Sequence, residues 1–201
     1  MNRGRLLAFE GLDGCGKSTQ LERLASSLRD AGHAVLVTAE PSDTAEGRRI
    51  RARARAGERV PPEEELALFV ADRRAHVDSV IEPGLTAGRV VVTDRYYLST
   101  VAYQGARGLD PERILAESEA AFPLPDLVLL LEIDPAVGLA RTVSRSGVAE
   151  PAFERREVLE RVDEIFRSLE LPYVERIDAA DSVERVGASV EQRVRERLGL
   201  L

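Results

Sequence analysis

One stretch near the start, residues 5–19, constrains this chain more than any other. Leu6-Leu7-Ala8-Phe9 is an apolar run of strand length. Gly11, Gly14 and Gly16 then form a glycine-rich turn, and after Ser18 the residues Leu21, Leu24, Ala25 and Leu28 recur at helical spacing. Residues 11–18 fit Gly-x-x-x-x-Gly-Lys-Ser, the phosphate-binding loop (P-loop) pattern. Its chemistry needs those residue types. Glycines let backbone N–H groups turn inward, where they and the N-terminus of the following helix make an anion site. Lys17 is expected to reach a transferred phosphate as a point charge, and Ser18 to offer its hydroxyl to Mg²⁺. Lys17 is also the sole lysine of the chain. A sequence that otherwise uses arginine keeps lysine here, where a planar fork would not fit a tight cradle.

The rest of the chain alternates strands and helices. Strands are expected over 6–9, 34–38, 89–93, 126–133 and 173–177, each largely apolar. Helices are expected over 19–31, from a cap at Ser42 or Asp43 to about 56, from Pro61-Pro62 to about Gly84 or Gly88, and over 98–104, 111–121 and 135–145. Two more are expected over 153–169 and in the last segment from about Val183. Continuous apolar strands alternating with helices predict an α/β fold: a five-stranded parallel sheet flanked by helices in three layers. In such sheets ligands bind at the carboxyl ends of the strands. The glycine loop and Asp94-Arg95-Tyr96 both fall there.

The chain has 201 residues, which suits a single domain over 1–201. Its net charge of −7 argues against a nucleic-acid or anionic membrane surface as partner, although a local arginine cluster suffices for a nucleotide. With one cysteine, no internal disulfide is possible. No apolar run reaches the roughly 18 residues of a membrane span. A strand follows almost at once after Met1, so no signal peptide and a cytoplasmic location are expected.

Further motifs carry a family resemblance. Phe9-Glu10-Gly11-Leu12-Asp13-Gly14-Cys15-Gly16-Lys17-Ser18-Thr19-Gln20 is similar to the opening of thymidylate (dTMP) kinases, a family of P-loop nucleoside monophosphate kinases. So are Leu68-Phe69-Val70-Ala71-Asp72-Arg73 with His76-Val77, Asp94-Arg95-Tyr96 with Ser99 and Ala102-Tyr103-Gln104-Gly105, and the ending Ile177-Asp178-Ala179. The resemblance spans nearly the whole chain. It implies a P-loop NTPase-type fold and phosphorylation of dTMP to dTDP with ATP and Mg²⁺, by direct in-line transfer in a homodimer. Gly11, Asp13, Gly14, Cys15, Gly16, Lys17, Ser18 and Thr19 would hold the ATP phosphates. Ser18 and Asp94 would serve the metal. Arg95 would grip the acceptor phosphate and, with it, Arg51, for which Arg48 and Arg49 are rival candidates.

Phe69 and Arg73 are four apart and share a helix face. By residue type alone they read as a core aromatic and a surface cation. The resemblance implies instead a clamp, with Phe69 on the thymine ring and Arg73 on its O4. It also places Tyr103 near the sugar 2′ position, Ser99, Thr100 and Gln104 near the base or phosphate side, and Asp13 as acceptor from the 3′-hydroxyl. Residues 144–154 read as a lid. There the family pattern Asp-Arg-x-Glu is replaced by Pro151-Ala152-Phe153-Glu154. The missing charge is therefore assigned to Arg145, helped by Arg141. A second departure is Ala39, where the family often has arginine. His33 and His76 are read as ordinary residues, and Cys15 as a small residue tolerated at a variable loop position. Other acceptors for a small P-loop kinase, or a P-loop switch or ATPase, are the alternatives. A switch would want a guanine-reading Asn-Lys-x-Asp, which is absent.

Overall fold

The structure, a computed structural model, describes residues 3–58, 60–146 and 156–201; within the last turn before 147, the side chains of Val143, Arg145 and Ser146 are also outside the description. The expected lid beyond Ser146, with Ala152, therefore lies outside the described residues, as does the Arg145 side chain.

Five parallel strands form one sheet in the order β2-β3-β1-β4-β5. They are β1 (Arg5–Gly11), β2 (Val35–Ala39), β3 (Val90–Asp94), β4 (Leu127–Glu132) and β5 (Val174–Asp178). The three central strands are almost wholly buried, because helices cover both faces. The edges β2 and β5 are half-buried. β5 carries Glu175 and Arg176, whose charges suit an edge. Pairing sets Phe9 opposite Asp94 and Gly11 opposite Leu131, so the glycine loop and Asp94 leave the sheet side by side.

The helices are α1 (Lys17–Asp30), α2 (Ala45–Ala56), α3 (Pro62–His76), α4 (Glu82–Thr86), α5 (Tyr97–Ala106), α6 (Pro111–Ala121), α7 (Pro135–Ser146), α8 (Arg156–Ser168) and α9 (Val183–Leu198). α1 packs on α9, α2 on α3, and α5 on α6 and α8. Two expectations change. Thr44, not Ser42 or Asp43, caps α2, accepting from the Gly47 N–H; the Ser42 hydroxyl is committed to Asp72 at 2.5 Å. The single helix expected from Pro62 to Gly84 or Gly88 instead widens into a π turn at Val77–Ile81, where the Glu82 N–H reaches back five residues to the Val77 carbonyl. Pro83 explains it: with no N–H, it cannot continue the α-helical ladder to Ser79.

Glycine matters most where the loop meets α7. Gly14 has φ of 82°, and a Cβ there would lie 2.2 Å from the Gly138 carbonyl oxygen. A Cβ on Gly138 would lie 2.7 Å from the Asp13 carbonyl oxygen. Two facing glycines thus let the first turn of α7 rest on the loop. Gly138→Ala keeps a helical backbone but must push α7 off the loop. It is expected to weaken nucleotide binding several-fold with little change in thermal midpoint, as titration with a fluorescent ATP analogue and a melting curve would show.

Candidate active site

Helix N-termini leave backbone N–H groups without partners, and proteins normally cap them. α2, α6 and α9 are capped by Thr44, Asp110 and Ser182. α1 has no side-chain cap and no acid in its first turn, and it starts from Gly16 at φ 99°. Its free N–H groups and dipole face the glycine loop, which is what an anion site requires. Lys17 is 6% exposed and folds over the loop, donating from Nζ to the carbonyls of Gly11 at 3.1 Å and Leu12 at 2.9 Å. Cys15 is buried within the loop, its Sγ 3.8 Å from Lys17 Nζ. Thr19 is exposed in the first turn of α1. On the other side, Arg141 of α7 donates to the Gly14 carbonyl at 3.5 Å.

The Ser18 hydroxyl donates to Asp94 Oδ2 at 2.6 Å, joining the start of α1 to the end of β3. These are hard oxygen donors at the mouth of a phosphate loop. The described residues contain no group of three or more His, Cys, Asp or Glu able to hold a metal on its own. Two protein oxygens completed by phosphate and water suit Mg²⁺, which dehydrates reluctantly.

α5 also lacks a cap of its own; its N-cap position is Tyr96. Glu10 of β1 supplies one. Its Oε1 accepts from the N–H groups of Tyr96 at 2.9 Å and Ser99 at 3.0 Å, and its Oε2 accepts from the Ser99 hydroxyl. Ser99 in turn accepts from Arg95 Nη1 at 2.8 Å. Arg95 Nη2 donates to Asp13 Oδ1, and the guanidinium lies 5.1 Å from the centre of the Tyr103 ring. Arg95 itself has φ of 71°, a left-handed backbone uncommon outside glycine. Strain at such a residue points to a constrained site. Burial alone would raise the Asp13 carboxyl, but Arg95 and Lys17 outweigh it and hold it down at about 2, so Asp13 is an acceptor at any working pH. Burial pushes the Tyr103 phenol well above its usual range, so it stays neutral.

Asp13, Arg95 and Tyr103 line a cleft of about 280 Å³ together with Phe69, Arg73 and Gln104. Phe69 and Arg73 share a face of α3 as expected. Arg73 is not a surface cation: it is 1% exposed. Its Nε and Nη2 donate to Glu40 Oε2 at 2.9 and 2.7 Å, and Nη2 also donates to Thr100 at 2.8 Å. Its Nη1 is buried with no partner, and so is Gln104 Oε1. Two residues of the cleft lining thus each keep one buried side-chain polar atom without a hydrogen-bond partner among the described residues.

Of the arginines on α2, Arg51 and Arg55 line this cleft, and the rival candidates Arg48 and Arg49 do not; Arg55 was not singled out from the sequence. Arg51 is nevertheless engaged: it donates to the carbonyls of Pro41 and Ser42 at 2.5 and 2.7 Å and to Asp43 at 2.7 Å. Pro41 and Arg51 also border a second hollow of about 660 Å³ that holds Ser18, Asp94 and Ala39. His33 is a structural residue, bonded to the Leu200 carbonyl. His76 is not an ordinary one: its ring bridges Glu40 Oε1 at 3.1 Å and Thr38 Oγ1 at 2.6 Å, and so braces the partner of Arg73.

Glu10, Glu40 and Glu65 were missed by sequence reasoning. Only Glu10 left a signal, an acid inside an otherwise apolar strand. Burial pushes its carboxyl up to about 7, against the Ser99 hydrogen bonds and Arg95, which hold it down. A carboxyl that binds its proton more tightly folded than unfolded contributes stability that is complete below its ordinary 4.5 and lost as pH rises through about 7. Glu10→Gln has no such proton. The unfolding free energy of the wild type relative to Glu10→Gln is therefore expected to fall between about pH 4.5 and 7 in urea titrations. A constant difference would mean an ordinary carboxyl.

Comparison with known proteins agrees with this geometry. The profile of the family described as Thymidylate kinase matches residues 9–190. A thymidylate kinase of Desulfotalea psychrophila is 45% identical over 197 residues, covering 98% of this chain and 97% of that one. One of Akkermansia muciniphila is 43% identical over 195 residues, covering 97% and 93%. One of Xanthomonas euvesicatoria is 45% identical over 185 residues, covering 90% and 80%. With a P-loop at the end of β1, an arginine–aspartate pair beside it and a buried arginine facing the adjoining cleft, the chain belongs to the thymidylate kinase family.

Proposed function

We propose that this chain transfers the γ-phosphoryl group of ATP to the 5′-phosphate of dTMP, with the base held in the cleft between α3 and α5 and the phosphate at Arg95. The observation that carries the reading is the pair of unpartnered buried atoms, Arg73 Nη1 and Gln104 Oε1, on two residues that line that cleft. Thymine offers a carbonyl at C4 beside an N–H at N3, the complement of a donor next to an acceptor. Cytosine offers the reverse, an amine at C4 and an acceptor at N3, and would leave both protein atoms opposed. Phe69 would stack on the ring.

At the other end, Arg95 would grip the acceptor phosphate through its fork, releasing Asp13 to accept from the 3′-hydroxyl. Tyr103, whose hydroxyl lies 3.4 Å from Asp13, would crowd a 2′-hydroxyl. Arg51, Ser99 and Thr100 would complete the acceptor side. On the donor side the loop N–H groups of residues 11–19 would hold the ATP phosphates, with Arg141 over the loop and Lys17 following the transferred group. Ser18 and Asp94 would hold Mg²⁺, which would supply charge neutralisation to the transferred phosphoryl group. No side chain is asked to act as a strong base, since the attacking oxygen belongs to a phosphate already ionised. Arg145 would supply the lid charge in place of Ala152. The family resemblance also supports a homodimer and a cytoplasmic location. No helix among the described residues is long and apolar enough to cross a membrane.

The test is ADP release with ATP and Mg²⁺ against dTMP, dUMP, ribothymidine monophosphate, dCMP, dGMP, AMP and thymidine. The expected order places dTMP first, dUMP second and the ribose form far below. Turnover of thymidine but not dTMP would make the enzyme a nucleoside kinase and remove Arg95 from the acceptor phosphate. Two substitutions separate the arginine roles. Arg95→Ala is expected to lower kcat/KM for dTMP by about 10²–10³-fold, with KM for ATP nearly unchanged. Arg145→Ala is expected to lower kcat by a comparable factor while dTMP binding measured without ATP holds; an unchanged kcat would move the lid role to another residue.

A further inference from the structure

Which atom Gln104 shows to the cleft decides which base edge the cleft accepts. The two ends of a glutamine amide are nearly equal in shape, so the neighbours must choose between them. Here the choice is made outside the cleft. Gln104, on α5, is fully buried, and its Nε2 donates to Glu65 Oε2, in the first turn of α3, at 2.7 Å. The same Glu65 oxygen accepts from Arg107 Nη1. Arg107 is anchored in turn by its Nη2, which donates to the Val60 carbonyl at 2.7 Å. Neither Glu65 nor Arg107 lines the cleft. An ionised carboxylate only accepts hydrogen bonds, whatever else it is paired with. Turning the Gln104 amide over would set its carbonyl oxygen against that carboxylate in a buried site, where an unmatched polar contact is costly. The amide oxygen is thereby held away from Glu65, and it is this oxygen that has no partner among the described residues.

We infer that Glu65 is a specificity-determining positioning residue: it locks the Gln104 amide so that the cleft presents an acceptor beside the Arg73 donor, which selects bases with N3–H and C4=O over cytosine. The inference rests on the proposed acceptor reading and deepens it. Glu65 touches no substrate; it acts only through Gln104. A residue that merely stabilised α3 against α5 would, when replaced, lower turnover of every acceptor by one factor. An orientation lock makes a different demand. Its loss frees the amide to rotate, which costs dTMP a hydrogen bond and lets dCMP gain one.

The variant that isolates the lock is Glu65→Gln, which keeps the shape but offers Gln104 either a donor or an acceptor. Arg107→Gln is the control, since it removes the neighbouring charge and leaves Glu65 an acceptor. The quantities are kcat/KM for dTMP and for dCMP, with calorimetric binding of each nucleotide in the absence of ATP. In Glu65→Gln the dTMP:dCMP ratio is expected to fall about tenfold or more, the size of one mispaired two-point base contact. KM for ATP and kcat at saturating dTMP are expected to hold. In Arg107→Gln the ratio is expected to stay near the wild-type value. Should Glu65→Gln fold poorly, Glu65→Ala carries the same expectation, since it removes the lock altogether. An unchanged ratio in the Glu65 variants, or equal losses for both nucleotides, overturns the inference and leaves the dTMP reading standing. A wild type with no preference for dTMP over dCMP overturns both.

Discussion

Within the largely apolar central strands of the sheet sits a fully buried carboxyl group, Glu10, with three donors aimed at it. Burying a polar group without hydrogen-bond partners is costly in either protonation state. The partners are therefore obligatory, and they are the first turn of α5. Satisfying Glu10 fixes Tyr96 and Ser99 against the end of β1. Ser99 then holds one arm of Arg95, and the other arm reaches Asp13 in the loop that begins one residue after Glu10. A single desolvated group thus ties the phosphate loop to the strand end that carries the acceptor-side arginine. The left-handed backbone of Arg95 is kept by the same bonds, together with its N–H on the Phe9 carbonyl at 2.9 Å.

The helix starts divide the labour. Thr44, Asp110 and Ser182 close the N-termini of α2, α6 and α9. Where the N-terminus serves chemistry, that closure is absent or borrowed. α1 keeps its N–H groups open behind a loop of glycines, and α5 takes its cap from a neighbouring strand. The base end of the cleft follows a related rule. Arg73 and Gln104 are each held by a carboxylate that lies behind them, Glu40 and Glu65, and each keeps one polar atom uncommitted. His76 and Arg107 brace those carboxylates in turn. Preorganisation of this kind makes recognition rigid, because little ordering remains to be done when a ligand arrives.

Much of this was legible in the residues. The period-free apolar runs of β1, β3 and β4 announced a sheet covered on both faces, and the order of elements announced parallel pairing. The glycine pattern with Lys17 marked the phosphate loop, and Phe69 and Arg73 at a spacing of four announced a shared face. What was not legible depends on approach through space. The cap of α2 was misplaced because Ser42 is drawn to Asp72, 30 positions away in the chain. Arg73 read by type as a surface cation because Glu40, which holds it, lies 33 positions away, just after β2. His76 looked ordinary because neither Glu40 nor Thr38 adjoins it in sequence. Arg51 was singled out as an acceptor ligand without any sign that the carbonyls of Pro41 and Ser42 occupy it.

By itself, then, the sequence determined what is local and periodic: which segments become strands and helices, where the backbone must turn on glycine, and where a phosphate can sit. Those follow from steric limits on single residues and from repeats of two and 3.6. The tertiary structure alone decided which polar atoms are spent and which are left over. Arg73 has one free nitrogen, Nη1, and Gln104 one free oxygen because Glu40, Thr100 and Glu65 hold their other polar atoms. Hydrogen bonding is a matter of pairing between groups distant in sequence, and in a buried site the atom without a partner defines what the site can bind.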